Sequence, residues 1–443
     1  MTDWTKATAA EMGRAIGRGE VDPVDLTQGF YDAIAAEPAS DRIYARLTEE
    51  RAMAEALAAS KRARDGVRRH PLDGVPISWK DLYDTAGVVT EAGSGLLAGR
   101  VPDRDAKVLR AATLAGTVCL GKTHMSELAF SGLGLNPVTA TAPCVNDPEA
   151  VAGGSSSGAA ASVAFGLAAA GIGSDTGGSV RLPACWNDLV GLKTSSGRLS
   201  LEGAVPLITS FDTVGPLARS VEDAALLLSA MEGKPAPDLR GASLKGRRFA
   251  MLQTVVMEDL DEAPARAFAD AVARFRDAGA EVVELDFPQI GAPHRDSGML
   301  YTVEAWATWG EAIKANPNAM FAPIRERFES GATHDAATYK AAWQHLEDVR
   351  RAWWRETASF DAVICPTAPN LPAKKDKLME QGDYYVSENL RTLRNTRIGN
   401  LLGGGIVTLP TGVPSCGVSL MAPPMTEPRL LRLAHAAEAA LKV

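Results

Sequence analysis

Three short segments hold the residues in this chain best suited to chemistry. Val151-Ala-Gly-Gly-Ser-Ser-Ser-Gly-Ala-Ala-Ala-Ser162 and Gly173-Ser-Asp-Thr-Gly-Gly-Ser-Val-Arg-Leu-Pro-Ala184 are dense in glycine and serine, and each runs into or out of apolar sequence. Gly74-Val-Pro-Ile-Ser-Trp-Lys80 reads as a short strand that ends on a lysine, followed by Asp81. Glycine lets a backbone approach a ligand closely and take up φ values that other residues avoid. Clustered backbone N–H groups then make a concavity that suits an anion. Taken alone, the two Gly/Ser segments read equally well as flexible loops, which favour the same residues.

Other signatures fail on their context. Gly116-Thr-Val-Cys-Leu-Gly-Lys-Thr123 fits the phosphate-binding pattern G-x-x-x-x-G-K-[ST], but its interior reads as a buried strand and a helix precedes it. Gly154-Ser-Ser-Ser-Gly158 fits the nucleophile elbow G-x-S-x-G, which needs a strand directly before it, and Val145-Asn-Asp-Pro-Glu-Ala-Val151 is a poor one. His294, His334, His345 and His435 stand in no telling context, no lysine completes an S-x-x-K box, and no metal-ligand spacing is present.

Together the three segments resemble the amidase-signature family. The resemblance extends through Gly121-Lys-Thr-His-Met-Ser-Glu-Leu-Ala-Phe-Ser-Gly-Leu-Gly-Leu-Asn-Pro137, Val190-Gly-Leu-Lys-Thr194, Gly203-Ala-Val-Pro-Leu207 and Phe211-Asp-Thr-Val-Gly-Pro-Leu-Ala-Arg-Ser220. It covers residues 70–230 closely and the remainder more loosely, helped by Asp361-Ala-Val-Ile-Cys-Pro-Thr-Ala-Pro369. It implies Ser179 as nucleophile, Lys80 as base and Ser155, placed after a cis peptide bond, as the proton bridge between them. The 24 positions from 155 to 179 match the family's spacing. It also implies an oxyanion hole from the backbone N–H groups of Thr176, Gly177, Gly178 and Ser179, an acyl-enzyme intermediate, and no metal or organic cofactor. The chemistry agrees: an amide carbonyl is a poor electrophile with a poor leaving group, and a serine needs a base, which lysine becomes when burial depresses its pKa.

Ala129, Phe130 and Ser131 are the expected near wall of the substrate pocket, because the matching family segment runs past the nucleophile. Ser156 is expected to support the site by hydrogen bonding, and Arg181 to pair with Asp175 or hold a substrate carboxylate. Asp81 is expected to orient the lysine strand. His124, where relatives usually carry asparagine, is expected to bear on pocket shape. The implied reaction is hydrolysis of a linear amide or a related carbamate, urea or ester. The alternatives are a carbamate-cleaving urethanase, the glutaminase (A) chain of a glutamyl-tRNA amidotransferase, and a non-catalytic scaffold relative.

The elements that must position these residues alternate between strand and helix. Helices are predicted from Asp22-Pro23, at 48–65, 105–115 and 158–170, then at 263–278, 300–314 and 337–358, with a closing helix from Glu427. Strands are predicted at 74–80, 117–120, 249–252, 281–285, 362–365, 406–409 and 417–421. The tryptophans at 306, 309, 343, 353 and 354 recur at helical spacing and read mainly as core. This α/β texture predicts the amidase-signature fold, a large central mixed β-sheet covered by helices on both faces. No linker marks a boundary, so residues 1–443 are expected to form one amidase domain, with a signature core at about 70–230, a more variable region at about 240–360, and C-terminal strands and a helix returning to the core.

The composition, 46% hydrophobic and 23% charged, is that of an ordinary globular chain. A net charge of −8 argues against direct nucleic-acid binding and against an anionic membrane surface. Five scattered cysteines without a C-x-x-C pair, and an N-terminus without a basic head and apolar core, predict a cytoplasmic location. The expected partner is a small-molecule amide or carbamate, with a homodimer suggested by the resemblance.

Overall fold

Strands rich in apolar and small residues on both faces, rather than on alternate residues, must be covered on both sides, and several strands here are of that kind. The computed structural model describes residues 3–442 and contains thirteen strands: β1 (Tyr44–Leu47), β2 (Pro76–Lys80), β3 (Val118–Thr123), β4 (Pro143–Cys144), β5 (Asp147–Val151), β6 (Ala170–Ser174), β7 (Val190–Lys193), β8 (Val214–Ala218), β9 (Arg248–Leu252), β10 (Glu281–Leu285), β11 (Ala362–Pro366), β12 (Gly405–Pro410) and β13 (Gly417–Ala422). Eleven of them form one mixed sheet in the order β1-β3-β2-β6-β8-β7-β12-β13-β11-β9-β10, while β4 and β5 pair separately. Every residue of β2, β3, β6, β7, β8, β11 and β13 is buried.

Register places the chemistry. β2 runs parallel to both β3 and β6, with Trp79 opposite Ile172. The carboxyl ends of β2 and β6 therefore lie side by side, and Lys80 and Ser174 are their last residues. The ends of parallel strands are where an open α/β sheet presents its ligand crevice.

The helix Ser157–Ala164 packs against β2, β3, β6 and β8, and every residue from Ser157 to Val163 is buried. Its sequence of Gly, Ala, Ser and Val lets backbones close up: a Cβ on Gly158 would lie 2.5 Å from the Ile43 carbonyl oxygen. A helix that is apolar all round is a core helix. It is also shorter than the sequence pattern predicts, ending at Ala164 where 158–170 was expected, because the chain turns at Gly166 (φ +77°) and enters β6 at Ala170. No helix of the described residues is long and apolar enough to cross a membrane.

Candidate active site

Lys80 and the two serine segments converge at the ends of β2 and β6. The Lys80 ammonium is fully buried and donates to Ser155 Oγ at 2.7 Å and to Ser174 Oγ at 2.8 Å. Burial lowers its pKa from 10.5 to about 7, and Asp175 and Asp212 act in the opposite sense without overcoming it. A lysine near neutrality in proton affinity, held on a hydroxyl, is a group that can take that hydroxyl's proton. The peptide bond between Gly154 and Ser155 is cis.

Ser156 is occupied with the backbone. Its hydroxyl donates to the Ser174 carbonyl at 3.2 Å and accepts from the Ser174 N–H at 3.3 Å, and its own N–H donates to the Ser179 carbonyl at 3.2 Å. These bonds stitch the two serine segments together. The strand before Ser155, β5, pairs with β4 and lies outside the main sheet, which is not the context an elbow nucleophile requires. The phosphate-loop lookalike is likewise a helix end running into β3.

Ser179 lines a cleft and is 4% exposed. Among the described residues no hydrogen bond joins its hydroxyl to Ser155 Oγ, so the Lys80–Ser155 half of the expected relay is closed and the Ser155–Ser179 half is not. Such contacts commonly tighten when substrate enters.

The turn from Thr176 to Ser179 is shaped by Asp175. Its carboxylate accepts from the Gly178 N–H at 2.9 Å and the Val180 N–H at 3.1 Å, and is gripped by Arg181 through Nε at 3.0 Å and Nη2 at 2.9 Å. Asn400 Nδ2 adds a further bond at 2.8 Å. Burial alone would raise the Asp175 pKa, yet Arg181, Lys193 and Asn400 hold it well below the carboxylate range. Arg181 thus pairs with Asp175, the structural one of its two expected roles. The Gly178 N–H is spent on Asp175, which corrects the four-donor expectation: among the described residues, Thr176, Gly177 and Ser179 are the positions of that turn whose N–H groups have no partner. Gly178 has φ +141°, and a Cβ there would meet Thr396 Oγ1 at 2.1 Å, so the position admits only glycine.

A narrow cleft opens beside Ser179. Ala129, Phe130 and Ser131 line it, as do Thr176 and Gly177. Its other walls are Leu207, at the end of the Gly203–Leu207 segment, its neighbour Ile208, and Tyr301, Arg327 and Leu393; none was singled out from the sequence as a wall, and the last three lie far apart in the chain and outside any motif. Asp212 organises one wall by accepting from the Thr176 hydroxyl and from the N–H groups of Leu207 and Ile208 at 2.9 and 3.0 Å. His124 is not in the lining, contrary to expectation; its backbone instead bonds Ile43 and Gly158. Asp81 lies 3.3 Å from the buried Lys122 ammonium and accepts from the Glu91 N–H, which ties the end of β2 to its neighbours. A larger surface groove near His70 and Lys234 contains none of these groups.

Residues 25–431 match the Amidase family. The chain belongs to the amidase family. The glutamyl-tRNA(Gln) amidotransferase of Salinispora arenicola has an A chain that is 32% identical, over an alignment covering 100% of this amidase-family chain and 98% of that relative. A crystal structure described as an amidase superposes with a TM-score of 0.88 at 30% identity, covering 98% of this chain and 99% of that one. The native peptide amidase from Stenotrophomonas maltophilia superposes with a TM-score of 0.84 at 27% identity, covering 100% and 98%. The eleven-stranded sheet and its helices are the fold of this amidase family.

Proposed function

We propose that this chain hydrolyses a small linear amide through an acyl-enzyme on Ser179, working as one amidase domain. Ser179 Oγ attacks the carbonyl carbon while its proton passes to Ser155, whose own proton passes to neutral Lys80. The carbonyl oxygen, now an oxyanion, is held by the N–H groups of Thr176, Gly177 and Ser179, and one such donor contributes about 10²–10³ in rate. The proton returns through Ser155 to the departing amine, the C–N bond breaks, and water repeats the sequence to release the acid. The observation that carries this reading is the buried Lys80 ammonium on Ser155 Oγ at 2.7 Å, with its pKa brought to about 7.

The test is labelling with a fluorophosphonate, followed by mass spectrometry, on the chain and on Ser179→Ala. Labelling at Ser179, lost in the variant together with turnover, is the expected result. Labelling at Ser156 would move the nucleophile to the elbow-like segment.

A second reading, the glutaminase chain of an amidotransferase, is favoured by the full-length similarity to relatives of that name at 31–32% identity. It calls for co-purification with partner chains and for activity on glutamine only in their company. Turnover of simple amides by the isolated chain supports the first reading over the second.

A further inference from the structure

The near wall of the cleft is held in a conformation that its residues resist. Leu128 and Ala129 follow one another with φ +43° and +60°, the left-handed region that residues bearing a Cβ seldom enter. Such residues persist only where their surroundings fix them, and they gather at sites whose shape matters. Ala129 lines the cleft with Phe130 and Ser131, and its N–H closes back on the Ser126 carbonyl at 2.9 Å.

What fixes them begins at Glu127. Its side chain is buried, and no cation among the described residues pairs with it, a costly choice of residue for plain packing. One carboxylate oxygen accepts from the Ser94 hydroxyl at 2.7 Å and the other from the Phe321 N–H at 2.9 Å. The Leu128 N–H donates to the Ala92 carbonyl at 2.9 Å, a second tie to the segment that carries Ser94. Phe321 leads into the helix Ala322–Glu329, and that helix grips the wall again from the far end. Arg327 donates to the Phe130 carbonyl at 2.8 Å, and the Phe328 ring packs edge-on to Phe130 with centres 4.6 Å apart. The strained pair is thus clamped between Glu127 ahead of it and Phe130 behind it, and both fastenings reach the same helix. Burial lifts the Glu127 pKa to about 7. Either form keeps the clamp, since a protonated oxygen donates to Ser94 while the other still accepts from Phe321. Glu127 therefore acts through where its oxygens stand rather than through the charge they bear.

We propose that Glu127 is a positioning residue that latches the strained Leu128–Ala129 wall to the helix Ala322–Glu329, and so holds the cleft narrow and selective for slender acyl groups. Once released, the wall relaxes out of the left-handed region and the cleft widens. This deepens the hydrolase reading and rests on Ser179 as its nucleophile.

The experiment measures the rates at which a slender reagent, methanesulfonyl fluoride, and a bulky one, phenylmethanesulfonyl fluoride, label Ser179, located by mass spectrometry. The ratio of the two rates is compared between variants, so that the reagents' own reactivities cancel. In Glu127→Ala the slender-to-bulky ratio is expected to fall at least about tenfold, the worth of a single methylene in a tight pocket. The fall comes from faster labelling by the bulky reagent, whereas general damage to the fold would slow both alike. Glu127→Gln keeps an acceptor for the Phe321 N–H and a donor for Ser94, and is expected to retain the wild-type ratio. Ser94→Ala removes one of the two fastenings and lowers the ratio in the same direction, which keeps the test valid should Glu127→Ala fail to fold. An unchanged ratio in Glu127→Ala or, where that variant does not fold, in Ser94→Ala, or a fall in Glu127→Gln as large as in Glu127→Ala, overturns the latch and leaves the nucleophile intact. Absence of labelling at Ser179 by either reagent in the unaltered chain overturns the catalytic reading itself.

Discussion

Replacing Lys80 by methionine isolates the energetic signature of a lysine tuned for proton transfer. Methionine keeps most of the length and volume, so the variant removes the amine without opening a large cavity. Each tenfold change in proton affinity is worth about 1.4 kcal/mol, so displacing Lys80 from 10.5 to about 7 makes its protonated form cost about 5 kcal/mol in the fold. The unfolded chain holds the proton more tightly, and stability therefore rises with pH between about 7 and 10.5. At pH 7 the penalty is about 4 kcal/mol, and at pH 9 it has fallen to about 2 kcal/mol. Wild type should thus gain about 2 kcal/mol on Lys80→Met between these two pH values, whatever the constant offset from lost hydrogen bonds to Ser155 and Ser174. Other titrating groups, including buried Lys193, are common to both proteins and cancel. Urea unfolding at pH 7, 8 and 9 reads the difference directly. A gap that does not change with pH would refute the claim that burial depresses Lys80, and with it the assignment of Lys80 as the base.

Three further outcomes follow from the same geometry. Because Lys80 must be neutral to accept a proton, kcat/KM should rise about tenfold per pH unit below about 7 and level off above it, measured by amine release across pH 5–9. Asp175→Asn should destabilise the chain by about 3–5 kcal/mol in denaturant titrations, since it strands the buried Arg181 guanidinium, and it should also abolish turnover by releasing the Gly178 N–H. Gly178→Ala should lose roughly 3 kcal/mol and all activity, because φ +141° and Thr396 both oppose a Cβ; full activity in that variant would show a turn pliable enough to absorb the added atom.

Much of the reactive centre was legible because its residues sit in short local segments whose glycine and serine content has few other uses. The near wall of the cleft, Ala129 to Ser131, was legible too, but the far walls were not. Leu207, Tyr301, Arg327 and Leu393 come from four separate stretches, and an isolated leucine or arginine carries no periodic signal of where it will face. The helix Gly291–Ala315 begins nine residues before the expected start, since Gly291, Pro293, Asp296 and Ser297 read as breakers. Pro293 lies in the first turn, where its missing N–H breaks no helical bond. β1 and the helix Arg394–Leu402 were missed for a related reason. The latter is polar in sequence yet buried from Asn395 to Leu402, because Thr396 and Asn400 spend their polar groups on the Gly177 carbonyl and on Asp175. At Ala159–Gly173 the small apolar run could not tell core helix from buried strand, and the chain uses both.

The anchoring of the Asp175 turn by Thr396 and Asn400 has a consequence for biosynthesis. The bonds from Arg181 to Thr396 and from Asn400 to Asp175 span 215 and 225 positions. A ribosome adding about 5–20 residues per second takes roughly 10–45 s over that interval. Throughout it, Ser179 is synthesised but its turn has no Thr396 and no Asn400 to lean on. The nucleophile therefore gains its scaffold only once residues 396–400 have emerged, and a nascent or truncated product that lacks them carries the reactive residues without the means to aim them.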